Sequence, residues 1–328
     1  MFYLSKKNLV ELRLGSLFFG TGGGLSFADH GAVFTKALKT SAKIPVKKIT
    51  EFAPGAILAS VYGVGDPSKN TAKIPTLIKA SVKKFQKLTG TKIDGLIPGE
   101  IGAEGQAFQT AAYLSLPVLD SDLVGGRAAP EIQLDVFSVF DLPITPVLGV
   151  SITGKSIFLE GRFPAQEIEK ILRPFFADNG SSGILVGYAV KAGVYKRYGL
   201  KETLSKAMDI GRYLQEKNLG SLLKKYSGRK ITQGLMKKTS VKSSAGFLKG
   251  QVEIGKYSVE IKNENMAVYM DKKKIAWAPD VIVLLDVKNT RPIHNTELHK
   301  YKNKEVALLH FPAVGYWKEK KNKKMWNV

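Results

Sequence analysis

Asp120 and Asp122 stand two residues apart in LPVLDSDLVGGRAAPEIQ (116–133), directly after a short apolar run, with Gly125-Gly126, Arg127 and Glu131 following. If that run is a strand, the alternation of side chains puts both carboxylates on one side of its C-terminal edge. That edge is where open α/β sheets hold their ligands. Paired carboxylates with an arginine can position a water, orient a substrate amide or bind a metal. The same residues can also form an Arg–Asp hydrogen-bonded clamp that braces the loop. Just upstream, EIGAEGQ (100–106) adds Glu100 and Glu104.

A second stretch, FFGTGGGLSFADHGAVFTKAL (18–38), runs from an apolar pair through glycines into helical spacing. A phosphate-binding P-loop needs Gly-Lys-Ser/Thr at its end, which is absent here. A dinucleotide fingerprint needs a third glycine where Leu25 stands, and the first acid beyond the helix that follows, Glu51, is too distant for a ribose contact. No nucleotide cofactor is therefore expected. Gly20, Gly22, Gly23 and Gly24 instead allow positive φ angles and inward N–H groups, a nest for a carboxylate, a phosphate or a polarised carbonyl oxygen. The alternative is close backbone packing between a strand and a helix. His30, Val33, Phe34, Ala37 and Leu38 share one face of that helix.

Around these stretches lies a chain of 328 residues, 44% apolar, enough for two domains with real cores. It has no cysteine, which removes disulfides, thiolate nucleophiles and cysteine metal sites. No stretch reaches the ~18 consecutive apolar residues of a membrane span, and the first residues are broken by Lys6, Lys7, Glu11 and Arg13. A cytoplasmic protein is expected. The net charge of +22 is unevenly placed: residues 201–250 carry twelve Lys/Arg against three Asp/Glu, whereas 101–150 carry Arg127 alone against six acids. The basic excess, including the tail KEKKNKK (318–324), reads as a solvated surface with at most nonspecific attraction for polyanions. No nucleic-acid-binding motif is present.

Two textures divide the chain. The first alternates apolar runs, glycine turns and helical spacing: AILASVYGVG (56–65), IPTLIKASVKKFQKL (74–88), DGLIPGEIGAEG (94–105), QAFQTAAYLSL (106–116). Leu77, Ile78, Val82 and Phe85 mark one helix face. This is an α/β domain in three layers over a mostly parallel sheet, assigned to 1–165. Residues 137–161 turn β-like, 166–225 read as helical, and 227–246 as a Lys/Ser/Gly-rich loop. From 243 to 317 the period shortens to two, predicting a β-rich barrel or sandwich-like C-terminal domain, assigned to 166–328 with its basic tail. DKKK and KNTRP are read as turns. Trp277, Trp317 and Trp326 are expected in its core, His310 on a strand edge, His294 and His299 in a turn, and NEN (263–265) at a strand turn.

The order of these pieces resembles the S-methyl thiohydantoin desulfurase-like family, often associated with hydantoinases. The likeness rests on GTGGG, EIG and LPVLDSDLVGGRAAPEIQ, then SSAGFLKGQVEI (243–254), KNENMAV (262–268), APDVIVLLD (278–286) and FPAVGYW (311–317). It spans nearly the whole chain. Two places depart from the pattern: Leu25-Ser26 where the glycine run usually extends, and the doubled Gly125-Gly126. The resemblance implies two domains and removal of the sulfur substituent from an S-methylated thiohydantoin, a hydrolase-like activity on a small-molecule substrate. It also raises NEN as a contact to the other domain. On that expectation Asp120 or Asp122 is the base or metal anchor and Arg127 positions a carboxylate or ring carbonyl. Gly22, Gly23 and Gly24 form an oxyanion-type cradle, with Glu104 and Glu131 in substrate binding. Asp120, Asp122, Glu100 and His30 are the candidate ligands for a divalent metal, though no spacing is diagnostic of one. The rival expectation is a non-catalytic binding or assembly subunit, a homo-oligomer or a partner of a hydantoinase-like enzyme.

Overall fold

A computed structural model describes residues 1–65, 74–244 and 247–328. The chain forms two compact units: Met1–Leu9, Gly31–Gly125 and Glu131–Leu204 make the first, and Val10–His30, Gly126–Pro130 and Ser205–Val328 the second. The first unit holds an eight-stranded sheet. Its strands are β1 (Phe2–Leu4), β2 (Ile44–Lys47), β3 (Ile57–Gly65), β4 (Gly95–Ile97), β5 (Val118–Leu119), β6 (Val147–Ser151), β7 (Ser156–Leu159) and β8 (Ser182–Lys191). Their order is β1-β2-β5-β4-β3-β8-β6-β7. β2, β5, β4 and β3 run parallel, and antiparallel strands flank them on both sides.

The parallel core exists because helices return the chain between its strands. One of them, Ile74–Thr89, buries Ile78, Val82 and Phe85, the face its spacing predicts. Another, Gly105–Leu114, is buried over most of its length and carries the chain from β4 to β5. The stretch read as helical from 166 to 225 contains β8, whose run SGILVGYAVK pairs with both β3 and β6 at the sheet interior. A short apolar run has no period that separates a buried strand from a buried helix, so the periodicity reading missed it.

The second unit holds the antiparallel sheet. Its strands are β9 (Arg229–Ser244), β10 (Phe247–Ile254), β11 (Tyr257–Lys262), β12 (Glu264–Met270), β13 (Lys273–Trp277), β14 (Val281–Asp286), β15 (Arg291–Pro292) and β16 (Glu305–Phe311). Their order is β13-β12-β11-β10-β9-β16-β14-β15. Val252, Ile254, Val259, Ile261, Ile282, Leu284 and Leu308 point into a common core. β9 occupies most of the segment read as a loop, while Ala245 and Gly246 lie outside the described residues. Its outer face is Lys- and Ser-rich because it meets water, and Met236 faces inward. His310 sits on β16 between β9 and β14, inside the sheet rather than at its edge, and its Nε2 bonds Asp280 Oδ2 at 2.8 Å. Trp317 and Trp326 are buried as expected, but Trp277 is 43% exposed on its edge strand.

A helix, Leu9–Gly20, and not a strand, precedes the glycine loop. It packs on the helix Thr203–Gln215 through glycines. A Cβ on Gly15 would overlap the carbonyl of Ala207, and one on Gly211 the carbonyl of Glu11. Two backbones this close leave no space for any side chain, so both positions require glycine for its size.

Candidate functional site

In the first unit the loops after β4 and β5 lie side by side at the C-terminal edge of the parallel strands, joined by Leu123 N–H donating to Pro98 O at 3.0 Å. Residues 120–125 are buried without interruption, unusual for a connecting segment, whose polar backbone normally meets water. Their groups are satisfied locally. Asp120 N–H donates to Lys47 O at 2.8 Å, and Asp120 O accepts from Glu202 N–H at 2.8 Å. Asp122 Oδ2 accepts the Gly125 N–H at 2.8 Å. Gly125 and Gly126 both have positive φ, 93° and 85°, so the doubled glycine is what lets the chain fold back on Asp122.

Ser121 Oγ donates to Leu200 O and lies 2.9 Å from the Tyr195 hydroxyl, which donates to Asp122 O at 2.9 Å. Burial, with Asp122 and Asp135 nearby, pushes the Tyr195 phenol well above its ordinary range. Glu104, fully buried, accepts the Gly102 N–H at 2.7 Å. Glu100 is half-buried in the same loop. Glu131 accepts from the Gln133 side-chain amide in the turn that leads to the short helix Val136–Val139.

A clearly raised carboxyl belongs to a residue the sequence reading passed over. Asp135 caps that helix, its Oδ1 accepting the Ser138 N–H at 2.7 Å, and is 3% exposed. Val136 N–H donates to Leu123 O at 2.8 Å, which ties Asp135 to the acidic loop. Burial raises its carboxyl to about 6, opposed by hydrogen bonding from Ser138 and the Tyr188 side chain. Tyr188, 1% exposed, sits at a φ of 58°, a genuine outlier for a bulky residue inside a strand. It marks a bulge, because the β3–β8 register passes from Ser60↔Gly187 to Leu58↔Val190. Its hydroxyl lies 3.5 Å from that of Tyr62, and its ring meets Phe137 edge-on at 5.0 Å. Burial raises both phenols. The available signal was DVFS, an acid in cap spacing at the start of an apolar helix.

In the second unit the glycine loop is fastened by its carbonyls. Thr21 O accepts Asn265 N–H and Gly22 O accepts Asn295 N–H, each at 2.7 Å, while Gly24 O lies 3.2 Å from His294 Nε2. A Cβ on Gly22, whose φ is 92°, would overlap the Asn295 carboxamide, and one on Gly23 the Glu264 carboxylate. NEN and the 294–295 pair thus hold the loop, and His294, expected in a turn, is buried against it with its imidazole pKa lowered mainly by burial. His30 is fully buried in the same unit. Arg127, 1% exposed, donates from Nε to Ala128 O at 2.9 Å, from Nη1 to Asp280 O at 2.8 Å and from Nη2 to Thr21 Oγ1 at 3.3 Å. Its guanidinium also stacks 4.5 Å from the Trp326 ring.

Among the described residues no three His, Asp or Glu side chains are grouped to hold a metal ion, so Asp120, Asp122, Glu100 and His30 do not form a ligand set. No described helix is long and apolar enough to cross a membrane.

Residues 7–161 match the N-terminal domain and residues 164–326 the C-terminal domain of the S-Me-THD-like family. The chain belongs to that family. Among solved structures it is similar to a crystal structure of a protein from Chromobacterium violaceum. The two are 21% identical with a TM-score of 0.80, over 99% of this chain and 96% of that one. That likeness is one of fold. No curated protein matches.

Proposed function

We propose that this S-Me-THD-like protein is a hydrolase that removes the S-methyl substituent from a thiohydantoin-type cyclic amide by carboxylate-assisted attack of water. The observation that carries the reading is the concentration of buried carboxylates, Glu104, Asp120, Asp122 and Asp135, around the C-terminal edge of the parallel strands in a chain of net charge +22. Buried acids in so basic a chain need a reason, and membership of the S-Me-THD-like family is consistent with a thiohydantoin-related role for them.

The ring carbon bearing sulfur is an electrophilic, amidine-like centre. Water adds to it as a carboxylate takes one proton. The tetrahedral adduct expels methanethiolate, which takes that proton, and the proton of the added hydroxyl passes to the ring nitrogen as the carbonyl of the hydantoin forms. One water is consumed and one methanethiol released, with no change in oxidation state. General-base assistance of this kind contributes ~10²–10⁴-fold. Arg127 has Nε, Nη1 and Nη2 all engaged with protein oxygens and is left out of the chemical step.

A second reading, a non-catalytic assembly subunit, draws on the loop-bracing bonds of Asp122 and Glu104 to Gly125 and Gly102. Incubating the purified protein with S-methyl thiohydantoins, with and without divalent metal, while following methanethiol separates the two. Release that Asp122→Asn reduces supports the hydrolase; no release under any condition supports the subunit.

A further inference from the structure

Three features of the first unit coincide at Asp135. Its Oδ2 is buried and has no hydrogen-bond partner of normal geometry among the described residues. Its neighbour Tyr188 is held in a left-handed backbone conformation by a bulge. The Tyr188 hydroxyl stands 3.5 Å from that of Tyr62, which is half-buried. Each of the first two features opposes stability. A buried acceptor without a donor costs about 1–3 kcal/mol, and a bulky residue at positive φ about 1–3 kcal/mol. Such strain gathers at functional sites, and bulges there re-aim side chains. A buried oxygen left without a well-formed hydrogen bond, with the Tyr188 hydroxyl as its neighbouring donor group, calls for a further donor.

We infer that Asp135 takes the proton from the attacking water, with Tyr188 as its positioning residue and Tyr62 at the more open end of the same row of hydroxyls. The inference rests on the hydrolase reading. Asp135 Oδ1 is fixed by the Ser138 N–H, which leaves Oδ2 to accept from water. As the water oxygen bonds to the ring carbon, its proton passes to Oδ2. When the carbon–sulfur bond breaks, the same proton neutralises methanethiolate, and Asp135 returns to its starting state. A carboxyl raised to about 6 is mostly ionised at neutral pH yet more basic than an ordinary aspartate, which suits both transfers. The ionisable groups around this row are Asp135 and Tyr188, Asp122 near Tyr195, and Glu100 and Glu169 acting on Tyr62.

The test uses the full chain and two readouts, methanethiol release from an S-methyl thiohydantoin and thermal-shift binding of plain hydantoin, both across pH 5–9. Melting curves establish that each variant folds. In the wild type the rate should fall on the acid side with a midpoint near the Asp135 value of about 6. Asp135→Asn should lose about 100-fold in turnover, within the range for a general base, together with the pH dependence of hydantoin binding. Asp135→Glu should restore part of both. Tyr188→Phe removes a hydrogen bond that favours the carboxylate, so the acid limb should move to higher pH, a shift that a purely structural tyrosine would not produce. Wild-type turnover that survives Asp135→Asn within threefold, or an acid limb unmoved in Tyr188→Phe, overturns the assignment and leaves the hydrolase reading standing. Asp135-dependent hydantoin binding without methanethiol release overturns desulfurisation and keeps Asp135 as the proton-handling group of a cyclic-amide site. If neither release nor binding occurs, both fall.

Discussion

Arg127 and Asp135 are eight residues apart in the sequence, equally buried, and opposite in how their surroundings treat them. Arg127 finds an oxygen for Nε, Nη1 and Nη2 and an indole face for its plane. Asp135 has one oxygen capped and the other without a well-formed hydrogen bond, a strained tyrosine beside it and a carboxyl raised to about 6. A buried charge whose hydrogen bonds are complete is a brace. One left incomplete is held against its own preference, and that is where chemistry gathers.

The sharpest way to break this contrast is to remove each group in turn. Asp135→Asn should cost turnover about 10²-fold or more and leave the fold intact. Arg127→Met should instead cost stability on the order of 3 kcal/mol or more, because three acceptors, two of them in buried bonds, lose their donor; denaturant titration of both variants reads the difference directly. If Asp135→Asn unfolds the protein while Arg127→Met only slows it, the roles are reversed. Gly211→Val tests the glycine contact between helices and should destabilise by about 3 kcal/mol, the upper end of overpacking costs, with the midpoint of urea unfolding as the measure.

The pH dependence of stability gives a smaller effect with a definite sign. Asp135 has a folded-state value of about 6, above that of an unfolded aspartate, about 3.9. Between those values the folded state binds the extra proton, so this group makes stability fall as pH rises from about 4 to about 6, with the full penalty present above. Asp135→Asn removes that slope and should raise stability at pH 8 by about 1–3 kcal/mol, since each tenfold difference in proton affinity between the folded and unfolded chain corresponds to ~1.4 kcal/mol. At the far end of the scale, breaking the exposed Arg162–Asp141 pair with Arg162→Ala should leave the melting temperature unchanged within scatter.

The helix face at Ile78, Val82 and Phe85, the two textures and the placement of Asp120 and Asp122 after a short strand were all legible in the sequence, because they depend on local period and punctuation. The strand β8 was not, since both its faces are buried and its apolar run carries no alternation. The strand β9 was hidden by the lysines and serines of a solvent-facing sheet surface. Among the candidate site residues the glycine cluster stood out, but its packing against Asn295 and Glu264 joins segments some 240 residues or more apart in the sequence. Asp135 was missed for a related reason. Its local spacing reads only as a helix cap, while its raised pKa comes from burial in a setting it shares with Tyr188, fifty-three residues away.

The central claim is that water attacks the ring carbon of an S-methyl thiohydantoin, and running the reaction in heavy-oxygen water tests it most directly. One heavy oxygen should appear in the hydantoin for each methanethiol released, and Asp135→Asn should suppress both in parallel. Methanethiol without the label in the ring, or no methanethiol from the folded wild-type protein, would contradict the account.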